Sequence, residues 1–205
     1  MGALNVFQVD GMLYRLLDRI TSFLFLNILW LVLCLPVVTI FPATTAMFGV
    51  IRKWHNEEDV MIFKHFFKLF KENFRQSFLI GIIWFGIAFV LYFNILASLH
   101  MPQLMRLSML AIFFSFSLLF IITSIFICPV MVHYDMNMIE LMKNVLFIAV
   151  TKLKNSLLVG ITFCIAVLVT YIMPITIVII WSFVAYCIYS LCNRTFQEIE
   201  AAITV

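Results

Sequence analysis

The stretch Phe63-Lys64-His65-Phe66-Phe67-Lys68-Leu69-Phe70-Lys71-Glu72-Asn73-Phe74-Arg75-Gln76-Ser77-Phe78 decides how the rest of the chain is read. Wound at about 100° per residue, it gathers Phe63, Phe66, Phe67, Phe70, Phe74 and Phe78 on one face and sets Lys64, Lys68, Lys71 and Arg75 in a stripe beside it. Neither water nor hydrocarbon suits both stripes. Such a helix is expected to lie in the headgroup layer, its rings among the acyl chains and its cations reaching up to phosphates. An uncharged apolar segment follows directly, which marks a membrane protein.

Composition agrees. Of 205 residues 65% are hydrophobic and 11% charged, against about half and a quarter in soluble domains. The chain therefore reads as one integral membrane domain over residues 1–205. The net charge of +3 matters less than its placement, since every charged residue lies outside four runs, 20–51, 76–105, 107–134 and 155–193. The first run is long and has no small-residue cleavage site, so insertion through uncleaved spans is expected. Cys34, Cys128, Cys164, Cys187 and Cys192 are odd in number and form no CxxC pair, and they read as small core hydrophobes.

Residues 12–20 form a short amphipathic pattern that would rest on the surface ahead of the first span. The run 20–51 exceeds the roughly 20 residues of one crossing and falls short of two. Pro36 and Pro42 break it, because proline lacks an amide hydrogen and clashes with the carbonyl four residues back. The preferred reading is one span over about 21–41 with a bent continuation; the rival is a partly inserted hairpin with its tip at 36–42. Further spans are expected at about 77–99, 107–133, 157–173 and 175–192, the last two meeting at Pro174.

A shift of 79 positions superimposes the chain on itself. Lys64 then meets Lys143, Leu69 meets Ile148, Arg75 meets Lys154, and the serine that opens SFLIGI at 77–82 meets the one that opens SLLVGI at 156–161. The fold class expected is thus an all-α polytopic bundle with five spans, an internal repeat, and two interfacial amphipathic helices at about 60–76 and 138–155. Lys and Arg resist translocation, and ten against three beside the spans place both interfacial helices on the cytoplasmic side. The hairpin alternative raises the count to twelve against one.

The spans hold no firmly buried ionisable group, and no phosphate loop, nucleophile elbow or HExxH motif occurs, so no catalytic residue, cofactor or metal is expected. The turn His55-Asn56-Glu57-Glu58-Asp59 reads as solvated rather than metal-binding. Nucleic acid is not an expected partner; the bilayer and its anionic lipids are. Lys64, Lys68, Lys71 and Arg75 carry the best claim to function, either as orienting charges worth about 1 kcal/mol each at an anionic leaflet or as a docking surface.

The segments LNILWL at 26–31, LPVVTIFPAT at 35–44, Glu57-Glu58 and FFKLFKENF at 66–74 resemble the YesL-like family of bacterial membrane proteins, which carry domain of unknown function 624. The resemblance covers nearly the whole chain and is most specific at the proline-framed motif with Pro36, Thr39, Pro42 and Ala43. A glycine is usual where Phe41 stands. The resemblance implies a multi-pass protein of the bacterial plasma membrane, uncharacterised, often encoded near sugar uptake systems. It implies an accessory or assembly role in carbohydrate import, with sugar permease subunits as partners. A small oligomeric transporter or channel for a neutral solute is the alternative.

Overall fold

The computed structural model describes residues 4–56, 61–134 and 136–203. Among them are seven α-helices and no strand: α1 (Leu4–Cys34), α2 (Ile40–His55), α3 (Ile62–Leu99), α4 (Gln103–His133), α5 (Met138–Thr151), α6 (Leu153–Ile172) and α7 (Ile180–Ile203). Short 3-10 turns, Val37–Thr39 and Pro174–Val178, join α1 to α2 and α6 to α7. Four stretches are long and apolar enough to cross a membrane by length and composition: Leu17–Cys34, Ile62–Leu99, Gln103–His133 and Lys154–Ile172. Side chains before Leu17, and Glu57, Glu58, Asp59 and Asp135, lie outside the described residues, and with them most of the expected amphipathic stretch 12–20 and the acidic turn.

The helix expected over 21–41 stops at Cys34, and the chain turns back on itself. Phe23 meets Trp54 with ring centroids 5.2 Å apart, and Trp30 Nε1 donates to Thr44 Oγ1 at 3.1 Å, so α1 and α2 run antiparallel. The cause is local. Pro36 bars helix across the turn, and the Thr39 hydroxyl donates to the Leu33 and Pro36 carbonyls that the broken helix leaves open. Pro42 falls in the first turn of α2, where an amide hydrogen has no helical partner to lose. The rival reading, a hairpin, is the one the chain adopts.

α2 is the centre of the bundle. Residues 45–51 are all buried, and α2 touches α1, α3, α4 and α7, as a helix apolar all round must. Gly49 lets α3 come close; a Cβ there would lie 2.7 Å from Leu69 Cδ1. Ser77 Oγ donates to Thr45 Oγ1 at 3.2 Å, and Thr45 in turn meets Cys128 Sγ of α4 at 3.6 Å. At the turn end of α2 Phe41 lies against Gly81 and Phe85 of α3, so α3 continues through residues 86–99, about 21 Å, beyond the level of Phe41. There α3 pairs with α4, beginning where Trp84 stacks on Phe120 at 4.9 Å.

A helix lying flat at 60–76 would need a break before turning into a span, and α3 has none over its 38 residues. Part of the aromatic face, at Phe66, Phe67 and Phe70, packs on protein. Phe66 is fully buried against the core, Phe67, Phe70, Phe74 and Phe78 are half-buried, and only Phe63 remains 58% exposed. The second amphipathic stretch behaves differently: α5 ends at Thr151, and the non-helical Lys152 separates it from α6. Positions 79 apart nevertheless share their burial. Ser77 and Ser156, Ile80 and Val159, and the stretches 46–51 and 125–130 are all buried, while Lys64 and Lys143 are exposed.

The other ends gather opposite the turns. Arg52 donates to the Val132 carbonyl at the end of α4, Lys152 pairs with Glu198 at 2.7 Å, and His133 and Tyr134 both meet Glu200 Oε1, at 3.3 and 3.0 Å. Phe66→Ala should lower the unfolding free energy by about 3 kcal/mol in a denaturing-detergent titration, while Phe63→Ala shifts it by less than about 0.5 kcal/mol. Equal losses would mean that α3 is not seated on α2. Arg52→Met should cost about 2 kcal/mol in the same titration, the value of a charge-assisted bond to a helix-end carbonyl.

Candidate functional site

Lys64, Lys68, Lys71 and Arg75 are all exposed along the outer side of α3, opposite the seam where Phe66 and Leu69 meet the core. Among the described residues their positive charge is little compensated. Lys68 lies 3.9 Å from Glu72 one turn on, an exposed pair of small energetic weight. The helix that carries them is held by Gly49, Thr45 and Phe41 of α2, so the stripe is presented on a fixed rod.

The motif residues stand elsewhere. Pro36 and Thr39 form the α1–α2 turn, and Pro42 and Ala43 are buried in the first turn of α2. Pro42 and Ala43 face the core while the four cations are exposed on the outer side of α3, so motif and basic stripe are not one surface. The motif's work is to seal a chain reversal. A second reversal repeats that device: Pro174 opens the turn between α6 and α7, and Thr176 Oγ1 donates to the Met173 carbonyl at 2.7 Å. Its signal in the sequence is a proline followed closely by a threonine, Pro174-Ile175-Thr176 beside Pro36-Val37-Val38-Thr39. The two hairpins touch where Asn27 Nδ2 donates to the Ile177 carbonyl and Ser182 Oγ to the Phe23 carbonyl, both at 2.8 Å.

Two cavities lie on opposite faces of α2. The inner one, about 410 Å³, is apolar and lies among α1, α2, α4, α6 and α7, with Trp30, Thr44, Ser124, Phe163 and Trp181 in its wall. Trp30 and Trp181 stack with centroids 6.0 Å apart. The other, about 590 Å³, is polar and lies between α2, α3 and the end of α4, with Arg52, Lys53, Asn56, Glu72, Asn73 and Gln76 around it. Gln76 Nε2 donates across its edge to the Met136 carbonyl at 3.0 Å. Nearby, burial foremost and then the Glu200 carboxylate push the Tyr134 phenol well above its ordinary value. Neither cavity is visible to sequence reasoning, because each needs the α1–α2 reversal. Among the described residues no three of His, Cys, Asp and Glu gather as metal ligands would.

Comparison with known proteins gives the same uncommitted chemistry. Over 140 residues, 66% of each chain, the protein is 31% identical to the uncharacterized protein YesL of Bacillus subtilis. Against the uncharacterized protein YteU of the same organism it is 30% identical over 186 residues, 87% of this chain and 83% of the relative. The uncharacterized protein YesV is 30% identical over 137 residues. No solved structure matches. The family model described as a protein of unknown function, DUF624, matches residues 23–95, the part that contains the α1–α2 turn, all of α2 and most of α3. The chain thus belongs to the DUF624 family of YesL-like proteins.

Proposed function

We propose that this protein is a non-enzymatic accessory or assembly factor of the bacterial plasma membrane, which engages a cytoplasmic partner through the basic side of α3. The observation that carries the reading is the division of α3: its inner side meets α2 at Leu69 and Gly49 and buries Phe66 in the core, and its four cations face outward from a helix held in place. A loosely anchored helix would spend its cations on whichever headgroups it met. A braced one presents them in a constant pattern, which suits an acidic surface of another protein. A sugar permease subunit is the partner that the family resemblance favours.

The arrangement across the membrane belongs to the same proposal. With α1 and α2 antiparallel, Lys and Arg gather at the end where α2 and α4 finish and α3 begins, and among the described residues Arg106 alone stands just past the opposite turn. Positive charge stays in the cytoplasm, so the crowded end is the cytoplasmic one, where α1 begins and α7 finishes. The α1–α2 hairpin, with α3 continuing about 21 Å beyond the level of its Phe41, then enters the bilayer and returns without crossing.

The uncharged inner cavity favours one second reading, a small oligomeric transporter or channel for a neutral solute. Flux of a neutral sugar into liposomes containing this protein alone would support that reading over the accessory role.

In a cysteine-free background, Asn56→Cys should react with an impermeant maleimide only from the cytoplasmic side and His100→Cys only from outside. Labelling of both from one side would overturn the arrangement. Replacing Lys64, Lys68, Lys71 and Arg75 together by glutamine should leave insertion and unfolding free energy within about 0.5 kcal/mol of the parent. It should also abolish co-purification with permease subunits in mild detergent. Unchanged recovery would reduce the four cations to orienting charges.

A further inference from the structure

The polar cavity is built from two matched stripes. Gly49, Arg52, Lys53 and Asn56 of α2, and Leu69, Glu72, Asn73 and Gln76 of α3, each follow the i, i+3, i+4, i+7 spacing of one helix face. The close approach of Gly49 to Leu69 joins the stripes, and Met131 and Val132 of α4 complete the wall. Cations stand on the α2 side and a carboxylate on the α3 side.

Arg52 is half-buried and spends one N–H on the Val132 carbonyl. Among the described residues no carboxylate lies within ion-pair distance of it. A guanidinium partly withdrawn from water costs free energy until an anion meets it. Across the cavity Asn73 and Gln76 spend amide N–H groups on the Leu69 and Met136 carbonyls, both at 3.0 Å. Their amide oxygens are left as acceptors beside the Glu72 carboxylate, whose pair with Lys68 at 3.9 Å is too long for a hydrogen bond. The two walls together suit a ligand with an anionic end and a cationic end that carries N–H donors. Among the described residues no aromatic ring lines the cavity, so it lacks the ring faces that hold a quaternary ammonium.

Depth narrows the ligand further. Gln76 opens the uncharged run of α3, and Asn56 follows the last helical residue of α2. In the crossing arrangement proposed above, both helices leave the hydrocarbon there, at the level of lipid phosphates, where basic pockets between helices take head groups.

We propose that the polar cavity binds a phosphoethanolamine group, with its phosphate on Arg52 beside Lys53 and its primary ammonium on Glu72 and the amide oxygens of Asn73 and Gln76. The depth of the cavity makes a membrane phospholipid the carrier of that group. A soluble phosphodiester with the same head shares the chemistry. The four cations on the outer side of α3 take no part.

The test mixes the full chain in mild detergent with equal amounts of phosphatidylethanolamine and phosphatidylcholine of identical acyl chains, and reads bound lipid by native mass spectrometry. The two lipids differ only in whether the ammonium carries N–H donors. The chain should retain one lipid and prefer ethanolamine about tenfold, as a charge-assisted hydrogen bond would give. Glu72→Ala with Asn73→Ala should bring the two lipids to within about twofold of each other. Arg52→Met should weaken retention of both about tenfold. Equal retention in the parent overturns the proposal, as does a larger preference that survives the double alanine variant in a protein with normal helical circular dichroism. If Arg52→Met does not fold, the double variant decides. Replacing Lys64, Lys68, Lys71 and Arg75 by glutamine should leave the preference intact, and its loss there would move the head group to the outer face and overturn the site. Glycerophosphoethanolamine, the same head without acyl chains, separates the carriers: displacement of the lipid at equal concentration assigns a soluble phosphodiester, and an undisturbed lipid assigns the membrane. The measurement needs neither a partner protein nor a sidedness, so its outcome is separate from the accessory role.

Discussion

The fold depends on one constraint, the reversal of the chain between Cys34 and Ile40. Two prolines and one threonine produce it. Pro36 removes the helical option, Thr39 satisfies the carbonyls left behind, and Pro42 starts a new helix where its missing donor has no cost. Non-helical backbone is tolerated at membrane depth only when its polar groups are met. Without the reversal α2 would continue α1 outward, and α3, α4 and α7 would have no shared axis to pack around.

From that constraint the remaining architecture follows. α2 is uncharged up to Arg52 and buried on every side, so it can be central only if other helices surround it. Small residues decide which come nearest, through Gly49 to Leu69, Thr45 to Ser77, and Gly81 to Phe41. Phe41 sits in the space that Gly81 leaves, so bulk on one helix is matched by its absence on the next. The seam that seats α3 on α2 is also what turns its cations outward.

Much of this was legible in the chain and some was not, for identifiable reasons. The all-helical class, the apolar stretches and the turns at 100–102 and Pro174 follow from hydropathy and proline chemistry, which act locally. The choice between a bent span and a hairpin rested on contacts such as Phe23 with Trp54, more than thirty positions apart, which no local pattern records. The aromatic face of 63–78 reads as lipid-facing because a helix packed on protein and a helix packed on acyl chains show the same periodicity; burial separates Phe66, in the core, from the exposed Phe63. The cavities were hidden for the same reason, since Trp30 and Trp181 lie far apart in sequence and meet only when two hairpins do.

The unbroken length of α3 has a mechanical meaning. At 38 residues the helix is about 57 Å long, nearly twice the hydrocarbon thickness of a bilayer. One continuous rod therefore joins the cations at Lys64 and Lys68 to the turn at His100, with no break between them to absorb a change in direction.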